Sequence, residues 1–330
     1  MQQKFTVISS LLCAGLLLAG LTSCGTGDNS PLPVDTDTPV STFAETTAPS
    51  SSESSKGLEF VLNDDLLGYT CVGMGSCTDT QIVIDTYQGL PVTAIADKAF
   101  YNHVGLTSFT LGNSIQSIGY DAFQQTGYYN NEANWESGIL YIGKHLVAIK
   151  EDFQGHCNIK EGTLSISTDA FRDRMGITSV TIPHSITRID DNSFKGCVGL
   201  TTVTIGNGVT AIGEQAFDGC IQLENITLGE NIKSIGEKAF YDCMALKSIE
   251  LPQGLTTIGS VAFGECVALT TITIPSSVTA IEKMTCMGCN AVTDVYFSGT
   301  QAEWNALGRS GNIGIPKSAT IHTVSSDNIS

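Results

Sequence analysis

The chain has 330 residues, of which 15% are charged and 42% are hydrophobic, and its formal net charge is −17. This acidic balance argues against sequence-independent nucleic-acid binding, which needs clustered lysine and arginine. The apolar content argues against a wholly disordered chain. No apolar run after residue 30 approaches the length of a membrane span.

The N-terminus is organised like a secretory signal. Lys4 precedes an apolar run over residues 5–20, which has the length of a signal peptide. The next four residues, Leu-Thr-Ser-Cys at 21–24, resemble a bacterial lipobox. We therefore predict that residues 1–23 are a lipoprotein signal peptide and that Cys24 is lipidated, which would make the mature protein an extracytoplasmic, membrane-anchored lipoprotein. An ordinary signal peptide with a chance cysteine is the alternative.

Residues 24–57 are rich in serine, threonine, proline and acidic residues, and almost none are apolar. Such a segment cannot bury enough surface to offset its ordering entropy. We predict a disordered tether that holds the following domain away from the membrane.

The remainder of the chain is a repeat. Five columns of apolar residues recur at one period, and the clearest column is a phenylalanine that recurs every 23 residues, with a single step of 48. The step of 48 equals one period plus a 25-residue insertion. The members of the phenylalanine column are Phe100, Phe123, Phe171, Phe194, Phe217, Phe240 and Phe263.

Each unit follows the pattern Leu-x-x-Val-x-Ile, a turn, Val-x-x-Ile-Gly, and then Ala-Phe-x-x-Cys. The Val-x-Ile step has the period of a β-strand, and the Ala-Phe segment is long enough for one helical or 3-10 turn. A single unit cannot bury its apolar face, so neighbouring units must stack. The predicted fold is a β-rich solenoid of about 23-residue repeats, each with a strand, a turn, a short strand and a helical turn, capped at both ends.

These repeats resemble the BspA-like leucine-rich repeats of bacterial surface proteins. The segments that carry the resemblance are Ile-Gly-Glu-Gln-Ala-Phe-Asp-Gly-Cys at 212–220 and Ile-Gly-Glu-Lys-Ala-Phe-Tyr-Asp-Cys at 235–243, and it extends over residues 58–323. The resemblance implies a surface-exposed interaction module, often in adhesion, and no particular ligand. Cys286 departs from the pattern because it occupies the phenylalanine column.

The two ends of the solenoid need caps, because the terminal coils would expose apolar faces. We predict an N-terminal cap hairpin over residues 58–86, with its bend at residues 73–75. A C-terminal cap over 297–323 precedes a tail at 324–330, and Thr300 and Glu303 fit a capping box that begins a short helix.

The insertion, residues 128–156, contains Trp135 and two apolar runs joined by Gly143-Lys144. We predict a hairpin that leaves the stack. It is either a decorated structural coil or a binding feature with Trp135 as a candidate contact.

The cysteines also follow the repeat. Five of them are spaced 23 residues apart: Cys197, Cys220, Cys243, Cys266 and Cys289. The pair Cys286-x-x-Cys289 matches a redox or half-zinc motif, but the repeat register explains it and no second ligand pair is near. Free buried thiols are favoured over stacked disulfides, and Cys71 with Cys77 is the pair best placed for a disulfide.

No catalytic constellation is visible in the sequence. The five histidines occupy different repeat positions, and no P-loop, Gly-x-Ser-x-Gly or paired-carboxylate pattern occurs. We predict a non-enzymatic protein without cofactor or metal.

The residue between Val and Ile of each strand should point outward. In successive repeats this position holds Thr181, Thr204, Thr227, Glu250, Thr273 and Tyr296. Threonine is also a good exposed strand former, so the column has a structural explanation as well as a functional one.

The predicted function is a cell-surface, lipid-anchored binding or adhesion module whose partner is an unidentified protein or glycan on host or neighbouring cells. A structural surface spacer without a specific ligand is the alternative. Ice binding through the threonine column is weaker, because Glu250 and Tyr296 interrupt that column.

Overall fold

The computed structural model describes residues 52–308 and 313–324. The predicted signal peptide, Cys24 and residues 25–51 of the predicted tether lie outside the described residues, as do residues 309–312 and 325–330. The last part of the predicted tether, residues 52–57, is ordered instead, because the backbones of Ser54 and Ser55 donate to the carbonyls of Thr86 and Val83 at 2.9 Å. Neither helix in the described part of the chain has the length and hydropathy that crossing a bilayer would require.

The elements follow one another as short strands. The first seven are β1 (Glu59–Leu62), β2 (Tyr69–Gly73), β3 (Gln81–Ile84), β4 (Thr86–Tyr87), β5 (Leu90–Ile95), β6 (Ser108–Leu111) and β7 (Ser117–Ile118). The insertion holds α1 (Gly127–Asn130), a 3-10 turn (Glu132–Asn134), β8 (Trp135–Glu136), β9 (Ile139–Ile142) and β10 (His145–Ile149).

The regular coils then supply β11 (Gly155–Asn158), β12 (Ser165–Ile166), β13 (Ile177–Ile182), β14 (Arg188–Ile189), β15 (Thr202–Ile205), β16 (Ala211–Ile212), β17 (Asn225–Thr227), β18 (Ser234–Ile235), β19 (Ser248–Glu250), β20 (Thr257–Ile258), β21 (Thr271–Ile274) and β22 (Ala280–Ile281). The chain ends with β23 (Asp294–Thr300), α2 (Gln301–Gly308) and β24 (Thr320–Val324).

The coils stack into a β-solenoid of about 11 turns with a spacing of roughly 23 residues, which confirms the predicted fold class. Successive coils pair in parallel along two lines. The longer strands form the sheets β11-β13-β15-β17 and β19-β21-β23-β24, and the short second strands form the sheet β14-β16-β18-β20-β22. Each residue pairs with the residue 23 positions later in the neighbouring strand, so Thr181 lies beside Thr204 and Ile189 lies beside Ile212.

The phenylalanine column forms a ladder through the interior. All seven rings are at most 1% exposed. From Phe194 to Phe263 consecutive rings stack with centroids 4.9 to 5.5 Å apart and planes within 6° of parallel. Phe194, Phe217 and Phe240 therefore each pack against the ring of the coil before and of the coil after. Phe123 and Phe171, on the two sides of the insertion, belong to different apolar clusters.

A tight turn in each coil places the phenylalanine. The residue two positions before it has a positive φ of 51° to 63° in eight coils, although none of these residues is glycine: Lys98, Asp121, Asp169, Asn192, Gln215, Lys238, Val261 and Met284. In the last of these coils Cys286 takes the phenylalanine position. A residue in the left-handed region of φ and ψ changes the chain direction sharply, so the side chain two residues later points into the core.

The N-terminal cap is a hairpin, but its bend is not at Gly73-Met74-Gly75 as predicted. The strands β1 and β2 pair antiparallel and are joined by residues 63–68. The backbone of Asn63 donates to the carbonyl of Gly68 at 2.9 Å, and the carboxylate of Asp65 accepts from the backbone of Leu67 at 2.9 Å. An aspartate side chain commonly stabilises a turn by accepting from the backbone two residues on. Beyond residues 73–75, β3 pairs in parallel with β6 and already belongs to a coil.

The prediction that the insertion hairpin leaves the stack is wrong. All four residues of β9 are buried, and β10 pairs in parallel with β12 of the next coil. The hairpin contributes side chains from one of its faces to an N-terminal apolar core and from the other to a C-terminal core. It therefore lies inside the stack, as a decorated structural coil, and divides the core in two.

The C-terminal cap begins with the predicted capping box. The backbone of Thr300 donates to the Glu303 carboxylate at 2.7 Å, and the backbone of Glu303 donates to the Thr300 hydroxyl at 3.3 Å. The helix that follows places Leu307 in the core and Trp304 against Phe297, with ring centroids 5.5 Å apart.

Candidate interaction surface

The outward column of the strands forms one aligned strip, which we call the ribbon: Thr181, Thr204, Thr227, Glu250, Thr273 and Tyr296. Within each of the two long-strand sheets its members are direct neighbours across the ladder. Four of the six are exposed, and Thr181 and Thr273 are half-buried. The structure thus brings these six predicted residues together on one face, with polar groups at five positions and an aromatic ring at the last.

The C-terminal end of the ribbon carries a cluster that includes His322, a residue outside the repeat columns. Tyr296 is 45% exposed, and its ring stacks on that of His322 with centroids 4.5 Å apart. His322 Nε2 lies 2.8 Å from Asp294 Oδ1, and the Thr293 hydroxyl donates to the other carboxylate oxygen at 2.8 Å. The His322 contact is the main cause of the lowered pKa of Asp294. The spacing of His322 departs from the repeat, so no column identified it.

The ribbon is interrupted at its centre. The strand β17, with Thr227, ends one sheet, and β19, with Glu250, begins the next. A cleft of about 530 Å³ opens between them. We call it the ribbon cleft; its lining residues are Ile226, Thr227, Leu228, Glu230, Glu250, Leu251, Pro252 and Gln253. The sequence contains no signal for this opening, because residues 225–228 fit the repeat pattern.

Trp135 is not part of the ribbon. It lies in β8, which pairs with β9 of the insertion. Its indole nitrogen donates to the carbonyl of Tyr129 at 2.8 Å, and the Lys150 ammonium lies 5.4 Å from its ring. These contacts give the half-buried indole a structural position within the insertion.

The cysteine ladder is buried and its thiols are unpaired. Each thiol donates to the carbonyl of the phenylalanine 26 residues earlier, at 2.9 to 3.4 Å. Burial raises the pKa of Cys197 to about 12, and it does the same for Cys71. Cys71 and Cys77 are also buried free thiols. The thiols of Cys71 and Cys197 are therefore poor nucleophiles and poor metal ligands at neutral pH. Cys289 differs, because hydrogen bonds from the thiols of Cys266 and Cys286 lower its pKa.

Over residues 52–308 and 313–324, no three side chains of histidine, cysteine, aspartate or glutamate converge in a way that could hold a metal ion. His145 is fully buried, with Nδ1 2.9 Å from the Ser165 hydroxyl, and burial lowers its pKa to about 4.

A family model agrees with this description of the repeats. The BspA type leucine-rich repeat region, in six copies, matches residues 80–197 and 164–293. No curated protein matches the chain.

Several solved structures are similar at low identity. A leucine-rich cell surface protein from Faecalibacterium prausnitzii is 21% identical, covering 79% of this chain and 98% of its own, with a TM-score of 0.40. The pneumococcal vaccine antigen PcpA is 15% identical over 71% of this chain and 61% of its own, with a TM-score of 0.38. A leucine-rich repeat protein from Bacteroides ovatus is 15% identical over 82% of this chain and 99% of its own, with a TM-score of 0.30.

Proposed function

Because the chain belongs to the BspA type leucine-rich repeat family, we propose that it is a non-catalytic binding module of the cell surface that presents the ribbon to a partner protein or glycan on host or neighbouring cells. The observation that carries this proposal is the in-register, exposed and mostly hydroxyl-bearing ribbon, with Tyr296 at its end. Hydroxyl groups both donate and accept hydrogen bonds, so such a strip suits main-chain or sugar partners.

The test is capture of host and bacterial surface proteins by the mature chain, followed by comparison of ribbon variants. Tyrosine supplies both apolar area and a hydroxyl, so it is the strongest single anchor of the ribbon. Tyr296→Ala should lower the affinity for the captured partner by about tenfold or more. This loss should exceed that of Thr204→Ala, and the thermal midpoint of the protein should stay nearly unchanged.

Thr279→Ala is the matched control, because Thr279 is exposed but lies outside the ribbon. If all three variants retain the partner as the parent does, the protein acts as a surface spacer or binds elsewhere.

We propose further that the mature protein is anchored through Cys24, which lies outside the described residues. Lipoproteins carry at least two acyl chains, which suffices for stable anchoring. Cys24→Ala should abolish lipid labelling and release the protein from the membrane fraction. A variant that still partitions with membranes as the parent does would contradict the anchor.

A further inference from the structure

The ribbon cleft exposes apolar side chains that neighbouring coils bury. Ile226 and Leu228 are half-buried. Their equivalents in the coils on either side are at most 3% exposed (Val203, Ile205, Ile249 and Leu251). The opening therefore gives access to two aliphatic walls that the repeat would otherwise hide.

The opening is confined to the face that carries the ribbon. Behind it, β18 and β20 remain paired, and the rings of Phe217, Phe240 and Phe263 keep centroid separations of 5.3 and 5.5 Å. The two coils are thus held together at the back, and the cleft is a built feature of the ribbon face rather than a general loosening of the stack.

Two carboxylates belong to the lining of the cleft. Glu230 and Glu250 are both exposed, and within the described residues neither has a cationic group within the 4 Å of an ion pair. Lys247, directly before β19, forms an ion pair with Glu224, in which Nζ lies 3.6 Å from Oε2. The cleft therefore combines aliphatic walls with two carboxylates that form no ion pair among the described residues, and the Lys233 ammonium lies beside Gly254 at its edge.

We propose that the ribbon cleft binds a lysine or arginine side chain from an extended segment of a partner protein. Long basic side chains are apolar along the stem and charged at the tip. The stem would lie against Ile226 and Leu228 while the cation reaches Glu230 or Glu250. This assignment rests on the proposed function, because it gives the ribbon's partner a definite chemistry.

The width of the cleft suits a side chain. The strands β17 and β19 each pair with one neighbour and not with each other, yet their Cα atoms approach within 8 Å. Because an inserted strand would need about 9.6 Å between the two edges, the opening admits a side chain from a segment that lies across the ribbon face.

Binding of a fluorescent pentapeptide of alternating valine and lysine to the mature chain, followed by anisotropy, tests the assignment. The matched probe replaces the lysines with glutamine. The lysine peptide should bind and lose affinity as salt rises, because the contacts are partly exposed charges. The glutamine peptide should bind at least about tenfold more weakly, the size of one charge-assisted hydrogen bond.

The double variant Glu230→Gln with Glu250→Gln tests the carboxylates. It should lower the affinity for the lysine peptide by about tenfold or more. Its control is Glu214→Gln with Glu237→Gln, which makes the same change in net charge at exposed acids outside the cleft. The control should bind as the parent does. Equal losses in both double variants would show attraction to the acidic surface in general and would overturn the proposal.

Absence of peptide binding to the parent chain would also overturn the cleft assignment. The proposed function fails separately, because it depends on the surface partner and on Tyr296→Ala. If the protein captures its partner through Tyr296 but does not bind the lysine peptide, the cleft assignment is wrong and the proposed function stands. A chain that binds the peptide but captures its partner equally well without Tyr296 loses the ribbon as the partner site.

Discussion

Single residues bear backbone strain in this solenoid, and Val261 bears the most unfavourable instance. Its φ is +55°, and a β-branched side chain is poorly suited to the left-handed region. Asparagine adopts that region several-fold more readily. Val261→Asn should therefore raise the free energy of unfolding by about 1 kcal/mol, measured by urea denaturation.

Lys238→Asn is the control for Val261→Asn, because Lys238 occupies the same place one coil earlier with a φ of +51° and an unbranched side chain. Its gain should be smaller. A neutral or destabilising Val261→Asn would contradict the account of strain.

A second effect at this scale is the pH dependence contributed by His145. Burial lowers its pKa to about 4 in the folded protein, against about 6.5 in an unfolded chain. Between pH 4 and pH 6.5 His145 is protonated in the unfolded chain but neutral in the folded protein. The free energy of unfolding therefore falls as the pH drops from 6.5 to 4, and the contribution of His145 is fully present above pH 6.5. The loss should approach roughly 3 kcal/mol.

His145→Gln should flatten that part of the profile, as measured by urea unfolding at pH 7.5 and pH 4.5. The difference between parent and variant isolates this group from the carboxylates that titrate in the same range. Identical slopes in the two proteins would exclude His145 as the source.

At the scale of elements, the phenylalanine ladder couples each coil to its neighbours. Phe217 is fully buried and stacks on Phe194 at 4.9 Å and on Phe240 at 5.3 Å. Phe217→Ala should lower the free energy of unfolding by about 3–5 kcal/mol, because it leaves a cavity between coils. Met244→Ala, at a side chain that is 44% exposed, should change it little.

Hydrogen exchange shows where Phe217→Ala lowers amide protection. The loss should be largest in the coils next to residue 217, because coils contact only their neighbours. An unchanged urea midpoint would mean that the ladder adds little to stability.

The elements that the sequence predicts well are those that the period repeats. The strand columns and the phenylalanine column depend on side chains that every coil must bury, so Val203 and Phe217 could be assigned from spacing alone. The sequence also carries a signal for the buried place of the insertion hairpin. The run Ile139-Leu-Tyr-Ile has no polar alternation, which is typical of a strand buried on both faces.

The ribbon cleft could not be predicted in the same way. Ile226 and Leu228 occupy ordinary repeat positions, and whether they are covered depends on the separation of two coils rather than on residue type. The N-terminal bend is hard to place for a different reason. Gly-Met-Gly at 73–75 is a typical turn sequence, and it competes with residues 63–68, where the Asp65 carboxylate accepts from the backbone of Leu67.

At the scale of the whole molecule, the insertion hairpin separates two apolar cores. Phe100 belongs to the N-terminal core and Phe217 to the C-terminal one. Because stability in a solenoid is nearly a sum of nearest-neighbour terms, Phe100→Ala should lower hydrogen-exchange protection over residues 58–123 and leave residues 177–297 close to the parent.

Phe217→Ala supplies the reciprocal measurement, with loss in the C-terminal coils and retention in the N-terminal ones. Equal loss of protection in both regions from either variant would mean that the hairpin transmits the disturbance instead of dividing the core.

The constant register between coils has a consequence for how such a chain can change in length. Residues 212–220 and 235–243 share six of nine residues and are related by one step of the stack. Recombination between the corresponding stretches of the gene would add or remove 23 residues at a time. Each such event would keep the phenylalanine ladder, the cysteine ladder and both caps in register, and would lengthen or shorten the ribbon by one row. The coil with the insertion hairpin has no duplicate, so it would stay a fixed distance from the N-terminal cap while the rest of the molecule varied.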